Sequence, residues 1–227
     1  MSNTMTTPGT PSRPSRRVRN AAMRPRHGQV RIRLGALGLS ALGVQAIGRV
    51  EAVGPEAAGL APGDRVAYQF NAETPGLTHI VGERDLIGFP KDVAIGKAAA
   101  LLPLGVIARS VVKQFHSIGR NNTVSIAEDA SGAHRFVQAW VEHLGALVVP
   151  EGSDPVDVAI TAEDYAAARM LRSAHGVAQL AAADVFQAVR QGVFDGLEIA
   201  SYPLSDAEKA KSALAERSGG PVVLLAA

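Results

Sequence analysis

The chain has 227 residues, 47% of them hydrophobic and 19% charged. That is enough apolar material for a packed core and excludes bulk disorder. Aromatic residues make up only 4% and cysteine is absent, which argues against a base-stacking platform and removes disulfides, thiolate catalysis and cysteine-built zinc sites.

The formal net charge of +2 hides an asymmetry. Residues 1–27 carry six arginines and no acid, so the remaining 200 residues hold 17 bases and 21 acids. A nucleic-acid partner is therefore not expected for the folded part. The Ser, Thr, Pro and Arg composition of 1–27 predicts a disordered basic tail. No apolar segment follows its arginines, so it is not read as a secretory signal. No run of 18 apolar residues is present, and no membrane span is expected.

From Gly28 onward the pattern is that of short strands. Val30, Ile32 and Leu34 alternate with Arg31 and Arg33, and Gly48–Gly54 alternates again. Ala61-Pro62-Gly63-Asp64 turns the chain into Arg65–Tyr68, and His79–Val81 and Asp85–Ile87 add two short runs. Together they predict a small β-barrel-like unit over about 28–90. A helical segment over 96–117 is predicted to break at Pro103. Thr123–Ala127 reads as a strand. Ala133, Phe136, Val137, Trp140, Val141 and Leu144 then mark one face of a helix, and Leu147–Val149 is the next strand. This βαβ unit implies a parallel sheet. Further on, strands are predicted at 156–160, 177–180, 199–202 and 221–225. Helices are predicted at 162–173, 183–191 and 205–217, the last capped by Ser205.

Three segments carry a family resemblance. Gly48–Gly54 with Gly59–Tyr68, then Ala98–Gly105, then Gly192–Phe194 through Tyr202–Ala207 to Pro221–Leu224 resemble the medium-chain dehydrogenase/reductase superfamily in its zinc-free quinone and enoyl reductase branch. The resemblance implies an α/β fold with a small GroES-like β-barrel domain over 28–95. It also implies a truncated Rossmann-like, doubly wound parallel sheet over 96–197 and a C-terminal return over 198–227. The chain is a shortened version, with gaps expected after Ser40 and after Val149.

The third departure is chemical. In a dinucleotide fold the first strand feeds a glycine-rich turn, and the diphosphate lies at the following helix N-terminus. Here that turn is Glu128-Asp129-Ala130-Ser131-Gly132-Ala133-His134, and the three fingerprint glycines fall at Asp129, Ser131 and His134. Only Gly132, an additional family glycine, survives. The expectation is that no cofactor is used. NADPH is the alternative, with Ser131 and Gly132 as its contacts.

The candidate catalytic residues are Tyr68 as a donor to a carbonyl oxygen, Asp129 or His134 as acid or base, and His79. Gln69, Asn71, Thr74 and Glu128 are the candidate substrate contacts. Asp129 or Ser131 acting simply as a helix cap stands as the plain alternative. No metal-ligand spacing occurs. The leading expectation is a non-redox enzyme acting by general acid/base catalysis on an α,β-unsaturated carbonyl. It would be a cyclase, isomerase or dehydratase, of the kind that handles polyketide-type compounds in biosynthesis. The alternatives are an NADPH-dependent quinone or enoyl reductase and a non-catalytic dimeric binding protein. The expected partners are a small-molecule substrate and a second copy of the chain, in a cytoplasmic setting.

Overall fold

The computed structural model describes residues 24–70, 76–172, 175–216 and 220–226. The basic tail up to residue 23 and the candidate contacts Asn71 and Thr74 lie outside the described residues.

The fold has an antiparallel-rich sheet and a small parallel one, bridged by a buried helix. The first sheet has seven strands in the order β5-β3-β2-β1-β10-β9, with β4 also paired to β1. Its members are β1 (Gln29–Ser40), β2 (Gly43–Val53), β3 (Arg65–Gln69), β4 (Thr78–Gly82), β5 (Ile87–Gly88), β9 (Ala200–Pro203) and β10 (Val222–Leu225). Strand β1 is its hub. The Gln29–Arg33 half pairs with β4, and the Ala36–Leu39 half pairs with β10. An extra residue, Gly35, bends β1 between these partners, and opposite Arg31/Ile32 the β2 strand carries an extra residue, Glu51. Ser40 leads through Ala41 and Leu42 straight into β2. The Ser40 hydroxyl accepts from the Leu42 N–H and donates to the Gly43 carbonyl, which tightens this turn.

Helix α1 (Ile95–Arg109) connects the two sheets. Every residue from Ala98 to Ala108 is buried, so α1 has no polar face and runs through the core. The expected break at Pro103 does not occur, and the helix continues through it. Proline has no N–H to give to the Ala99 carbonyl one turn back. The Gly38 backbone comes against that same carbonyl, since a Cβ on Gly38 would lie 1.8 Å from Ala99 O. The Gly38 backbone therefore packs directly against the carbonyl that Pro103 leaves. A six-residue π-helical segment, Ser110–Phe115, extends α1. Ile95–Phe115 as a whole is long and apolar enough to cross a membrane, but 78% of its most apolar window is buried inside the protein. That is the position of a core helix.

The parallel sheet has three strands in the order β7-β6-β8: β6 (Thr123–Ile126), β7 (Leu147–Val149) and β8 (Val158–Ile160). The chain moves from β6 to β7 through α2 (Ala133–His143), then reverses to the far side of β6. This reversal is the switch point of a doubly wound sheet, and β6 lies at it. Helix α2 buries the predicted face of Ala133, Phe136, Val137, Trp140 and Val141. Phe136 and Trp140 both pack on Phe194, with ring centroids 5.4 and 5.6 Å apart.

Helix α3 (Ala162–Arg172) follows β8, and α4 (His175–Arg190) packs on α1. The strand expected at 177–180 is part of α4. Its short apolar run belongs to an alanine-rich stretch, and periodicity cannot separate such a run from a helix turn. Helix α5 (Ala207–Glu216) precedes β10. The Ser205 hydroxyl bonds Asp206 and not the helix N-terminus, because residues 204–206 form a 3-10 turn first.

Replacing Gly38 by alanine is expected to destabilise the protein by about 2 kcal/mol or more, because the new methyl would meet backbone that cannot move aside. Urea unfolding of the variant against the parent checks this. A cost below half a kcal/mol would show that β1 and α1 are not held at this spacing.

Candidate functional site

In doubly wound sheets ligands bind at the switch point, in the crevice beyond the carboxyl ends of the strands. Here that crevice lies beyond Ile126 of β6 and Ile160 of β8. The chain's own groups converge on it. The Ala127 N–H donates to the Ile160 carbonyl at 2.9 Å. Tyr165, fully buried on α3, donates its hydroxyl to the Ala127 carbonyl at 3.2 Å. Burial, together with the charges of Asp129 and Asp164, pushes the Tyr165 phenol well above its ordinary value, so it stays protonated.

Asp129 is at the centre of the turn, with only 9% of its side chain exposed. One carboxylate oxygen accepts from Arg169 Nη1 at 2.8 Å. The other accepts from the Ser131 N–H at 3.1 Å and from the Ser131 hydroxyl. Burial alone would raise the Asp129 pKa. The Arg169 and Ser131 hydrogen bonds and the Arg169 charge outweigh it, and hold the carboxyl below the usual carboxylate range.

The sequence pattern implies a carboxylate with a pKa raised by its neighbour Glu128. The structure places an ionised, tightly held one instead, because Glu128 is exposed and Arg169 is the group in contact. Arg169 could not be foreseen in this role, lying 40 residues away on another helix. Only the acidic turn itself hinted that a cation would be needed.

Ser131 is buried, and Gly132 stands at the N-cap of α2 with φ 79°, a left-handed conformation that favours glycine. Among the described residues no side chain caps α2. Asp129 and Ser131 brace the turn and each other. The His134 Nδ1 lies 3.1 Å from both the N and the O of Asp129. A neutral ring accepts from that N–H, and a protonated ring donates to that C=O. The Asp129 main chain thus holds the imidazole from both of its polar atoms.

The remaining candidates lie elsewhere. Tyr68 and His79 do meet, with the hydroxyl 2.7 Å from Nδ1. Both are only 3% exposed and sit in the interior of the large sheet's own core, beside residues such as Ile32 and Leu34. His79 Nε2 lies 3.0 Å from the Gly76 carbonyl. That contact keeps the ring proton on Nε2 and leaves Nδ1 to accept from Tyr68. Burial pushes the Tyr68 phenol far above its ordinary value. This pair is built into the barrel and is not assembled with Asp129 and His134. Gln69 is exposed and donates to the Val44 carbonyl at 3.2 Å, along the β2–β3 edge.

No family model matches the sequence. A curated quinone oxidoreductase of Pseudomonas aeruginosa is 30% identical over 117 residues, which is 51% of this chain and 36% of that protein. The match thus spans just over a third of the relative's length. The quinone oxidoreductase of Pseudomonas syringae pv. tomato DC3000 superposes with a TM-score of 0.67 at 20% identity, covering 89% of this chain and 92% of the other. The chain is similar to these quinone oxidoreductases and shares their fold, a resemblance to the zinc-free quinone oxidoreductase and enoyl reductase branch of the medium-chain dehydrogenase/reductase superfamily. The Escherichia coli quinone oxidoreductase, solved in complex with NADPH, has the same fold, with a TM-score of 0.67 at 16% identity over 88% of this chain and 92% of the other.

Two outcomes are expected from the site geometry. Tyr68→Phe removes the donor to a buried imidazole nitrogen and should cost roughly 1–3 kcal/mol of stability, read by thermal or urea unfolding. The Asp129 carboxyl has a lower pKa folded than unfolded. Its contribution is present in full above about pH 4 and is lost as pH falls through the folded value. Asp129→Asn should therefore destabilise the protein by roughly 1–3 kcal/mol at pH 7. It should also flatten the acid limb of a stability–pH curve. An unchanged acid limb would contradict the assignment.

Proposed function

We propose that this protein uses the quinone/enoyl reductase scaffold for cofactor-independent proton transfer on an α,β-unsaturated carbonyl, an isomerase-, cyclase- or dehydratase-type reaction. The observation that carries the reading is the Asp129 carboxylate, held by Arg169 and Ser131 in the turn where the fold would seat a dinucleotide diphosphate.

The residues of this turn do not fit that group. A diphosphate needs close backbone approach and free N–H donors. Here the Ser131 N–H is already given to a carboxylate, and Arg169 is already neutralised by it. Bringing a phosphate to about 4 Å from Asp129 costs roughly 4 kcal/mol at an effective dielectric near 20. The only escape is to break a pair whose acid is nine-tenths buried.

The groups left for chemistry are His134, whose Nδ1 lies against the Asp129 main chain, and the exposed Glu128 of the same turn. They can remove a proton from a carbon next to a conjugated carbonyl and return it elsewhere, which general acid/base catalysis requires. Tyr68 and His79 have no part in this reading, since they are enclosed in the barrel core.

A second reading is an NADPH-dependent reductase. It is favoured by the scaffold, whose neighbours include reductases solved with NADPH. Calorimetric titration with NADPH and NADH separates the two. The proposal expects no saturation at millimolar cofactor, and micromolar binding would overturn it in favour of reduction. On the positive side, 2-cyclohexenone in deuterated buffer should gain deuterium next to the conjugated system faster with the protein than without it. His134→Ala should lower that rate by about a hundredfold.

A further inference from the structure

We propose that a second cleft, between the barrel and α4, binds a small monoanionic amphiphile: a carboxylate attached to one flat apolar body. The cleft has a volume of about 370 Å³ and shares no lining residue with the switch-point crevice. That volume lies within the range of small-ligand sites.

Its apolar wall comes from two sides of the molecule. Phe89, just after β5, and Phe186, on α4, lie with ring centroids 5.7 Å apart in a tilted arrangement. Ala183 extends the α4 side with the smallest possible side chain and is itself exposed. Both phenyl rings are almost wholly buried, so a flat body in the cleft meets their edges and the exposed Ala183 methyl.

The polar rim is cationic, and one of its cations is pre-organised. Arg65 opens β3 and is half-buried. Its Nη1 donates to the Lys91 and Val93 carbonyls at 2.8 and 2.9 Å, and its guanidinium carbon lies 5.8 Å from the Phe89 ring centre. These contacts fix the plane of the guanidinium. Among the described residues its Nε and Nη2 have no partner. Lys91, also on the rim, is exposed and makes no ion pair among the described residues.

Of the other charges near the cleft, Arg190 and Asp92 offset each other. Arg190 is held by both oxygens of Asp92, at 2.7 and 2.9 Å. Asp64 Oδ2 accepts from the Ala61 N–H at 2.8 Å and keeps its negative charge. Arg65 and Lys91 set against Asp64 leave one net positive charge in the lining of the cleft. A fork of two free N–H groups suits a carboxylate. A doubly charged phosphate would exceed the charge available, and a neutral ring would leave the donors unused.

The test is calorimetry on the full chain with 2-naphthoate as the probe and neutral 2-naphthamide as its control. Saturable binding of one naphthoate per chain is expected, with the amide weaker by about tenfold or more. Arg65→Gln should weaken the naphthoate by a similar factor, but it also removes two structural hydrogen bonds. Ala183→Trp, on an exposed helix position, is the deciding variant. It should fill the cleft and abolish binding while the melting temperature stays unchanged. No heat of binding up to millimolar naphthoate would overturn the proposal. So would equal affinity for the amide, or parent-like binding by the folded Ala183→Trp protein.

Discussion

Helix α1 is apolar around its whole circumference, and the rest of the molecule is arranged to keep water from it. Eleven consecutive buried residues leave no side on which α1 could face solvent. It must be enclosed, and β1, β2 and β10 cover it from one direction while α2, α3 and α4 cover it from the other. A helix buried this deeply cannot leave a carbonyl without a partner at low cost. The Ala99 carbonyl is the weak point, and the Gly38 backbone meets it. One contact therefore couples a proline in the core helix to a glycine in the hub strand of the large sheet.

The same enclosure shapes the switch-point crevice. In the parallel sheet three strands are described, and α3 follows β8 directly. Tyr165 and Arg169 are thereby carried to the end of β6, where they meet the Ala127 carbonyl and the Asp129 carboxylate. The crevice is closed by the protein's own donors and acceptors. The turn still makes the fold's usual demand for a negative group beside Ser131 and the start of α2, and a side chain answers it. What remains open to a ligand is the flank with exposed Glu128 and half-buried His134.

Much of this was legible in the order of residues. The period-3.6 face of α2, the alternating strands of the barrel and the βαβ unit all rest on local patterns. Pattern reading fails where local and long-range forces compete. Pro103 predicts a break, but burial on all sides holds α1 straight through it. Residues 177–180 read as a strand but continue α4, since four apolar residues carry too little periodicity to decide.

The candidate site divides along the same line. The sequence by itself determined that the dinucleotide glycines are replaced by Asp129, Ser131 and His134, because identity at fixed spacing needs no coordinates. It also determined that an acidic turn follows the first parallel strand. Only the tertiary structure decided what becomes of that acid. Arg169 reaches it from a helix 40 residues away and turns an expected proton carrier into a fixed anion. Only the tertiary structure paired Tyr68 with His79 inside the barrel, away from the crevice they were expected to serve. Charges and hydroxyls act through distance and dielectric, and both are set by packing between segments remote in the chain.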